Sequence, residues 1–172
     1  MTESLTLRDE ITLSLQELHI PAENFHFVSL HSYQSILEQI VEYFTVSGKK
    51  TLTYNWWWDS FNFKEPCITY NPESGYPEEL LPHLIPAEEL VWFVATDSGR
   101  QRNKFWLCEG TIKAIAQVIA NSYSFEYYLA SKKFRWLLCV NHHDILIAVG
   151  EEMVNKLQKF PNVKGAIFTD VE

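Results

Sequence analysis

The chain has few of the residues from which common active sites are built. Six glycines in 172 residues leave little for a phosphate-cradling loop, and neither GxxxxGK(S/T) nor GxGxxG occurs. GxSxG and HExxH are also missing, which removes the signatures of an α/β-hydrolase serine and of a zinc protease. The three cysteines, Cys67, Cys108 and Cys139, stand far apart and form no CxxC pair, so neither a zinc knuckle nor a redox dithiol is indicated. Each lies in or beside an apolar run, and an odd number of such thiols fits a reducing compartment. No apolar run nears the ~20 residues that span a bilayer. The start, MTESLTLRDEI, lacks the basic and apolar regions of a signal peptide. A cytoplasmic protein is expected, without cofactor, bound metal or a catalytic residue that a motif would identify.

Positive charge is scarce as well. Fourteen Lys and Arg against 22 Asp and Glu give a net charge of −8. That argues against nonspecific binding to nucleic acid or to an anionic membrane, both of which select basic surfaces. It suits a basic protein partner. What the chain has in excess is aromatic: 11 Phe, 8 Tyr and 6 Trp. A chain of this length forms one domain (1–172) with a sizeable core, yet so many rings place some of them at a surface or groove.

The most decided stretch is Phe125–Gly150. It reads as three strands, Phe125–Ala130, Phe134–Val140 and Ile145–Val149, joined by Ser131-Lys132-Lys133 and Asn141-His142-His143-Asp144. The second and third are apolar on both sides, which predicts cover on both faces of a sheet. Before this meander, Thr6 and Asp9 form a capping-box pattern for a helix over 6–18, and Pro21 ends it. A second helix from Ser32 shows Tyr33, Leu37, Ile40 and Phe44 on one face and stops by Gly48. Thr51–Trp58 alternates as a half-buried strand, and Phe61–Tyr70 is its expected partner, which Pro66 confines to an edge or interrupts. Residues 71–89 form a proline-rich covering loop with a helical turn at Pro77. Strands follow at Phe25–Leu30, Leu90–Thr96 and Lys104–Cys108, a helix at Thr111, a last helix at Glu151-Glu152, and an edge strand at Ala166–Thr169. The order predicts an α+β fold: a mainly antiparallel sheet of about five to seven strands with helices packed on it. The helix after Cys108 allows a crossover, which would make the sheet mixed.

Four groups of residues invite a functional reading. His142, His143 and Asp144 combine two imidazoles with a carboxylate, the chemistry of proton exchange or metal binding near neutral pH. Asn and Asp are also what a hairpin turn selects, neighbouring side chains in extended backbone point apart, which keeps the two imidazoles from sharing a metal, and a binding-surface role for the turn is the remaining reading. Glu126 lies within a strand between aromatics. Buried, it would act as an acid or base; otherwise Arg135 across the turn is its natural partner. In Trp56-Trp57-Trp58, parity makes Trp56 and Trp58 core and leaves Trp57 either as cover for a sheet edge or the 71–89 loop, or as a binding anchor whose change to Ala should weaken a partner without unfolding the domain. Arg100, Arg102, Lys104, Lys132, Lys133 and Arg135 would form one basic patch, open to a phosphate or an acidic partner, if both turns share an end of the sheet; otherwise they are solvated loop charges.

Phe125-Glu126-Tyr127-Tyr128, Trp136-Leu137-Leu138-Cys139, Asn141-His142-His143-Asp144 and the strand to Gly150, with Phe105-Trp106 and the helix from Thr111, resemble a family of small bacterial proteins of unknown function. In size, acidity and element order the chain is also similar to the SMI1/KNR4-type (SUKH) immunity proteins, which neutralise toxins by binding them. The resemblance implies a non-enzymatic cytoplasmic binding protein with a toxin or other basic protein as partner. A small hydrolase or transferase using His142, His143 and Asp144 with Glu126 is the alternative. A homo-oligomer built on an aromatic edge is a third arrangement.

Overall fold

A computed structural model describes residues 4–62, 66–69, 76–159 and 167–170, with 66–69 and 167–170 described through their backbone alone. In chain order the elements are α1 (Leu7–Glu17), β1 (Phe25–Phe27), α2 (Leu30–Phe44), β2 (Pro66–Thr69), α3 (Leu81–Leu84), β3 (Leu90–Thr96) and β4 (Trp106–Thr111). Then come α4 (Ile112–Ala120), β5 (Glu126–Ser131), β6 (Leu137–Val140), β7 (Ile145–Val149), α5 (Glu151–Gln158) and β8 (Ile167–Asp170). All strands join one eight-stranded sheet in the order β1-β4-β3-β5-β6-β7-β2-β8. Every pairing is antiparallel. The fold is therefore α+β. The helix after β4 does make a crossover, but β3 lies between β4 and β5, so no parallel pair results. The β5–β6–β7 meander sits at the middle of the sheet.

Local chemistry sets the helix ends. Thr6 Oγ1 accepts from the backbone of Asp9 while the Asp9 carboxylate receives the backbone N–H of Thr6, which completes the capping box on α1. Thr111 Oγ1 accepts from Ala114 N and starts α4. Helix α2 begins three residues earlier than its sequence suggests, with Ser29 in place of Ser32 at the N-cap, and buries Leu37, Ile40, Val41 and Phe44. Four such side chains contribute about 1.5–3 kcal/mol each. They cover one face of the sheet, where Val94, Tyr128, Leu137, Cys139 and Ile147 point. The other face, with Phe93, Tyr127, Leu129, Leu138 and Leu146, is covered by side chains of α1, α3, α4 and α5. Strands β5 and β6 are buried along their whole length, as two-sided cover requires.

Some expectations need correction. Thr51–Trp58 is no strand. Residues Gly48–Thr53 and Trp58–Ser60 form 3₁₀ turns inside a loop closed by Val46 N to Ser60 O (2.8 Å) and Asn62 N to Phe44 O (3.0 Å). Hydroxyls explain it. Thr51 Oγ1 bonds to Thr45 Oγ1 (2.8 Å) and Thr53 Oγ1 donates to Lys50 O (2.7 Å), so local side-chain bonds replace a ladder. Of the two expectations for Pro66 the edge falls, since β2 pairs with both β7 and β8; the proline takes the first position of the strand, where a missing N–H matters least. β6 begins at Leu137 rather than Phe134, because Phe134 turns the chain with φ 52° and stacks on Tyr43 at 5.0 Å. Residues 71–75 of the proline-rich stretch lie outside the described residues.

The basic patch is also absent. β3 runs antiparallel to β5, so the Lys132–Arg135 turn lies beside Leu90 while Arg100–Lys104 lies beyond Thr96. The length of β3, about 20 Å at ~3.3 Å per residue, separates the two. Lys132 instead bonds to the Glu109 carboxylate and caps the Trp92 ring. Glu126 and Arg135 are at opposite ends of the β5–β6 pair for the same reason, so their expected pairing does not occur.

Candidate functional site

One end of the sheet gathers most of the residues singled out from sequence. β5 starts there, the β6–β7 turn ends there, and the closed tryptophan loop leans over both. The turn is built by Asn141, whose Oδ1 accepts from His143 N (2.9 Å) and Ile145 N (3.1 Å). Asp144 takes the left-handed conformation at φ 58°, a position that Asp tolerates. Because the two histidines lie in a turn and not in extended backbone, their rings sit together with centroids 4.0 Å apart, contrary to the expectation that they diverge.

Glu126 is the centre of the arrangement. It is 3% exposed, and its two oxygens meet four donor groups. Oε1 accepts from the Tyr128 hydroxyl, and Oε2 accepts from Trp58 Nε1 (3.0 Å), His142 N (3.3 Å) and His142 Nδ1 (3.1 Å). A carboxylate offers acceptors only, and two of these donors, the indole and the backbone amide, cannot act otherwise. Tyr128 in turn accepts from Trp57 N at 3.0 Å. A single buried side chain thus holds a strand start, a hairpin tip and a loop from far upstream.

The tryptophans have exchanged places relative to their sequence parity. Trp57 is 0% exposed, packed between Phe105 and Tyr128 with ring centroids 4.7 Å from each. It is a core residue, and its expected role as a surface anchor falls. The surface ring is Trp56, 36% exposed, stacked on His142 at 5.0 Å and on Trp58 at 6.0 Å, with Nε1 donating to Ser98 Oγ (3.2 Å). Asp144 does not join Glu126. It lines a second cleft on the opposite face.

Two clefts therefore flank this end of the sheet and meet at Ser124 and Phe125. One, of about 520 Å³, is walled by Trp56, Thr96, Asp97, Arg102, Glu126 and His142. The other, of about 640 Å³, carries Tyr76, Glu78, Glu79, Tyr123 and Asp144. Burial pushes the Glu78 carboxyl above its ordinary range, with repulsion from Glu79 and Asp144 adding to it. Among the described residues no three His, Cys, Asp or Glu side chains are arranged to hold a metal, and no helix is long and apolar enough to cross a membrane.

Sequence reasoning missed Tyr128 and Thr96, assigned Trp56 and Trp58 to the core, and placed Arg102 in a basic patch that does not form. A signal existed for one of them: Glu126 and Tyr128 are two apart on a strand and share a face. The tyrosines also give the site a measurable signature. Burial first, and the neighbouring Asp97 second, push the Tyr123 phenol up to about 12. Burial drives Tyr128 well above the usual value. The folded chain keeps protons that the unfolded chain releases near pH 10, so this stability is complete below that pH and is lost as pH rises from about 10 towards 12. Phenolate absorbance should therefore leave Tyr128 silent until far-UV circular dichroism collapses, and its ionisation before unfolding would contradict its complete burial.

An antiparallel sheet covered on both faces, with a buried carboxylate bracing an aromatic tip between two open clefts, defines an α+β protein with a preformed surface site. Within that class, the chain belongs to a family of unknown function, DUF6756, whose profile matches residues 3–161. No curated protein and no solved structure matches it.

Proposed function

We propose that this is a non-enzymatic binding protein of the cytoplasm, of the toxin-neutralising kind, which engages a basic protein partner through the end of the sheet at Trp56 and His142. The observation that carries this reading is the use made of Glu126. The group best suited to acid–base work spends both oxygens on four internal donors and so fixes the position of an exposed aromatic tip. Rigid, partly exposed tryptophan is the usual anchor of a protein interface. The net charge of −8 and the acidic cleft at Glu78, Glu79 and Asp144 favour a basic partner. The likeness in size and element order to SUKH-type immunity proteins supports the toxin-neutralising form.

The test is affinity purification from the native host with the wild-type chain and with Trp56→Ala. A basic protein retained by the wild type and lost from the variant, whose melting temperature should change little, is the expected result. No specific partner on the wild type would count decisively against it. A second reading is favoured by one distance. His142 Nδ1 lies 3.1 Å from Glu126, the orientation in which a carboxylate prepares an imidazole as general base. A small hydrolase or transferase would then show turnover of activated esters that vanishes in His142→Gln, whereas a binding protein shows none in either form.

A further inference from the structure

We infer that the cleft on the Thr96 side is a site for an oxyanion, the carboxylate or phosphate group of a small molecule. The inference rests on reading this end of the sheet as a recognition surface, and it does not depend on the identity of the protein partner. It comes from asking which polar groups in the cleft are already used. Both carboxylates in its wall are. Asp97 accepts from Arg100 N (3.3 Å) and from the Tyr123 hydroxyl (3.1 Å), and it faces the Arg100 guanidinium at 3.6 Å. Glu126 is saturated as described above.

What is left open is a set of donors. Thr96 is 1% exposed and lines the cleft, yet its hydroxyl makes no hydrogen bond among the described residues. A buried hydroxyl without a partner is costly, and one on a cleft wall is met when a ligand bonds to it. Arg102 stands on the same cleft with no carboxylate within ion-pair distance among the described residues, so its forked guanidinium is uncommitted. His142 spends its Nδ1 on the Glu126 carboxylate and stacks on Trp56, so it shapes the wall of the cleft without adding a negative charge. Trp56 supplies an apolar wall beside them. The one uncommitted full charge on this cleft is positive and the buried neutral group beside it can donate, which is the pattern of an oxyanion site within an acidic protein.

The experiment is a heteronuclear NMR titration of the purified full chain with inorganic phosphate and, separately, with acetate. Saturable shifts confined to Thr96, Arg102, His142 and the Trp56 indole are expected with at least one probe, and the tighter probe distinguishes phosphate from carboxylate. Arg102→Gln should weaken binding about tenfold, as loss of a charge-assisted bond implies. Thr96→Val should weaken it about threefold to fivefold, and because its hydroxyl has no partner in the protein, the variant should melt no lower than the wild type. Lys133→Gln, at the far end of the sheet, should leave affinity unchanged. Shifts that spread over surface lysines without saturating, or equal affinity in Arg102→Gln, Thr96→Val and the wild type, would overturn the site. Either failure leaves capture of a protein partner by Trp56 unaffected, so the two readings fail separately.

Discussion

Gly150→Ala is expected to lower stability by about 2–5 kcal/mol, the largest loss we anticipate from removing or adding a single methyl group. Gly150 has φ 94°, and a Cβ there would stand 2.4 Å from Arg135 O and 3.0 Å from Trp136 Cα. Both obstacles are backbone and cannot swing away. They are pinned by Ser131 Oγ, which accepts from Arg135 N (2.7 Å) and Trp136 N (3.3 Å). The positive φ alone costs an L-residue about 1–2 kcal/mol, and forced overpacking typically adds about 1–3 kcal/mol. Gly150 O also receives Met153 N (3.1 Å) and Val154 N (3.0 Å), so a shift would disturb the start of α5. In a chain of this size the loss corresponds to a fall in melting temperature of about 10 °C. Gly99→Ala is the control: its nearest atom would be Asp97 Oδ1 at 3.6 Å, and the change should stay within about 0.5 kcal/mol. Urea denaturation of the two variants decides the matter. Equal losses would mean that the β7–α5 exit does not pass beneath the β5–β6 turn.

Glu126→Ala is the second. It strands the Tyr128 hydroxyl, the Trp58 indole, and both the backbone and ring N–H groups of His142 around a buried gap. Removing one partner from a buried charged network typically costs about 3–5 kcal/mol. Glu126→Gln is the informative comparison. Its amide oxygen can serve the Trp58 and His142 donors, and its NH₂ can face Tyr128, whose hydroxyl also accepts. A loss of about 1–2 kcal/mol is expected for Gln. The ordering of the two variants in denaturant midpoint is the measurement. If Ala and Gln cost the same small amount, the carboxylate is not the anchor described.

The parts of this fold that sequence made legible are those where one period governs. β3 and β7 have the bounds that alternation and apolar runs predict, α2 buries the face its spacing marks, and the Thr6 and Thr111 caps act as their side-chain chemistry requires. The tryptophan loop was illegible for a physical reason. Alternation in Thr51–Trp58 imitates a strand, but threonine hydroxyls bond locally and the chain winds through 3₁₀ turns, so parity assigned the wrong tryptophan to the surface. Glu126 was recognised as a residue of consequence, but its partners depend on register. Opposite Thr96, it lies at the His142 end of β5 and not at the Arg135 end. The contact to Trp58 joins positions 68 residues apart, which no local pattern encodes.

That long contact makes the aromatic surface conditional. The β6–β7 turn closes over a handful of residues, whereas the loop carrying Trp56 is placed through bonds to Glu126 and Tyr128 that span 68 and 71 positions. Loop closure over such spans carries an entropic cost that grows only slowly with length, but nothing offsets it until the receiving strand exists. The position of the tryptophan loop therefore depends on the start of β5 being in place. A chain with a damaged sheet would not display a weakened site; it would display none, and any partner that grips Trp56 thereby inspects the integrity of the central strands.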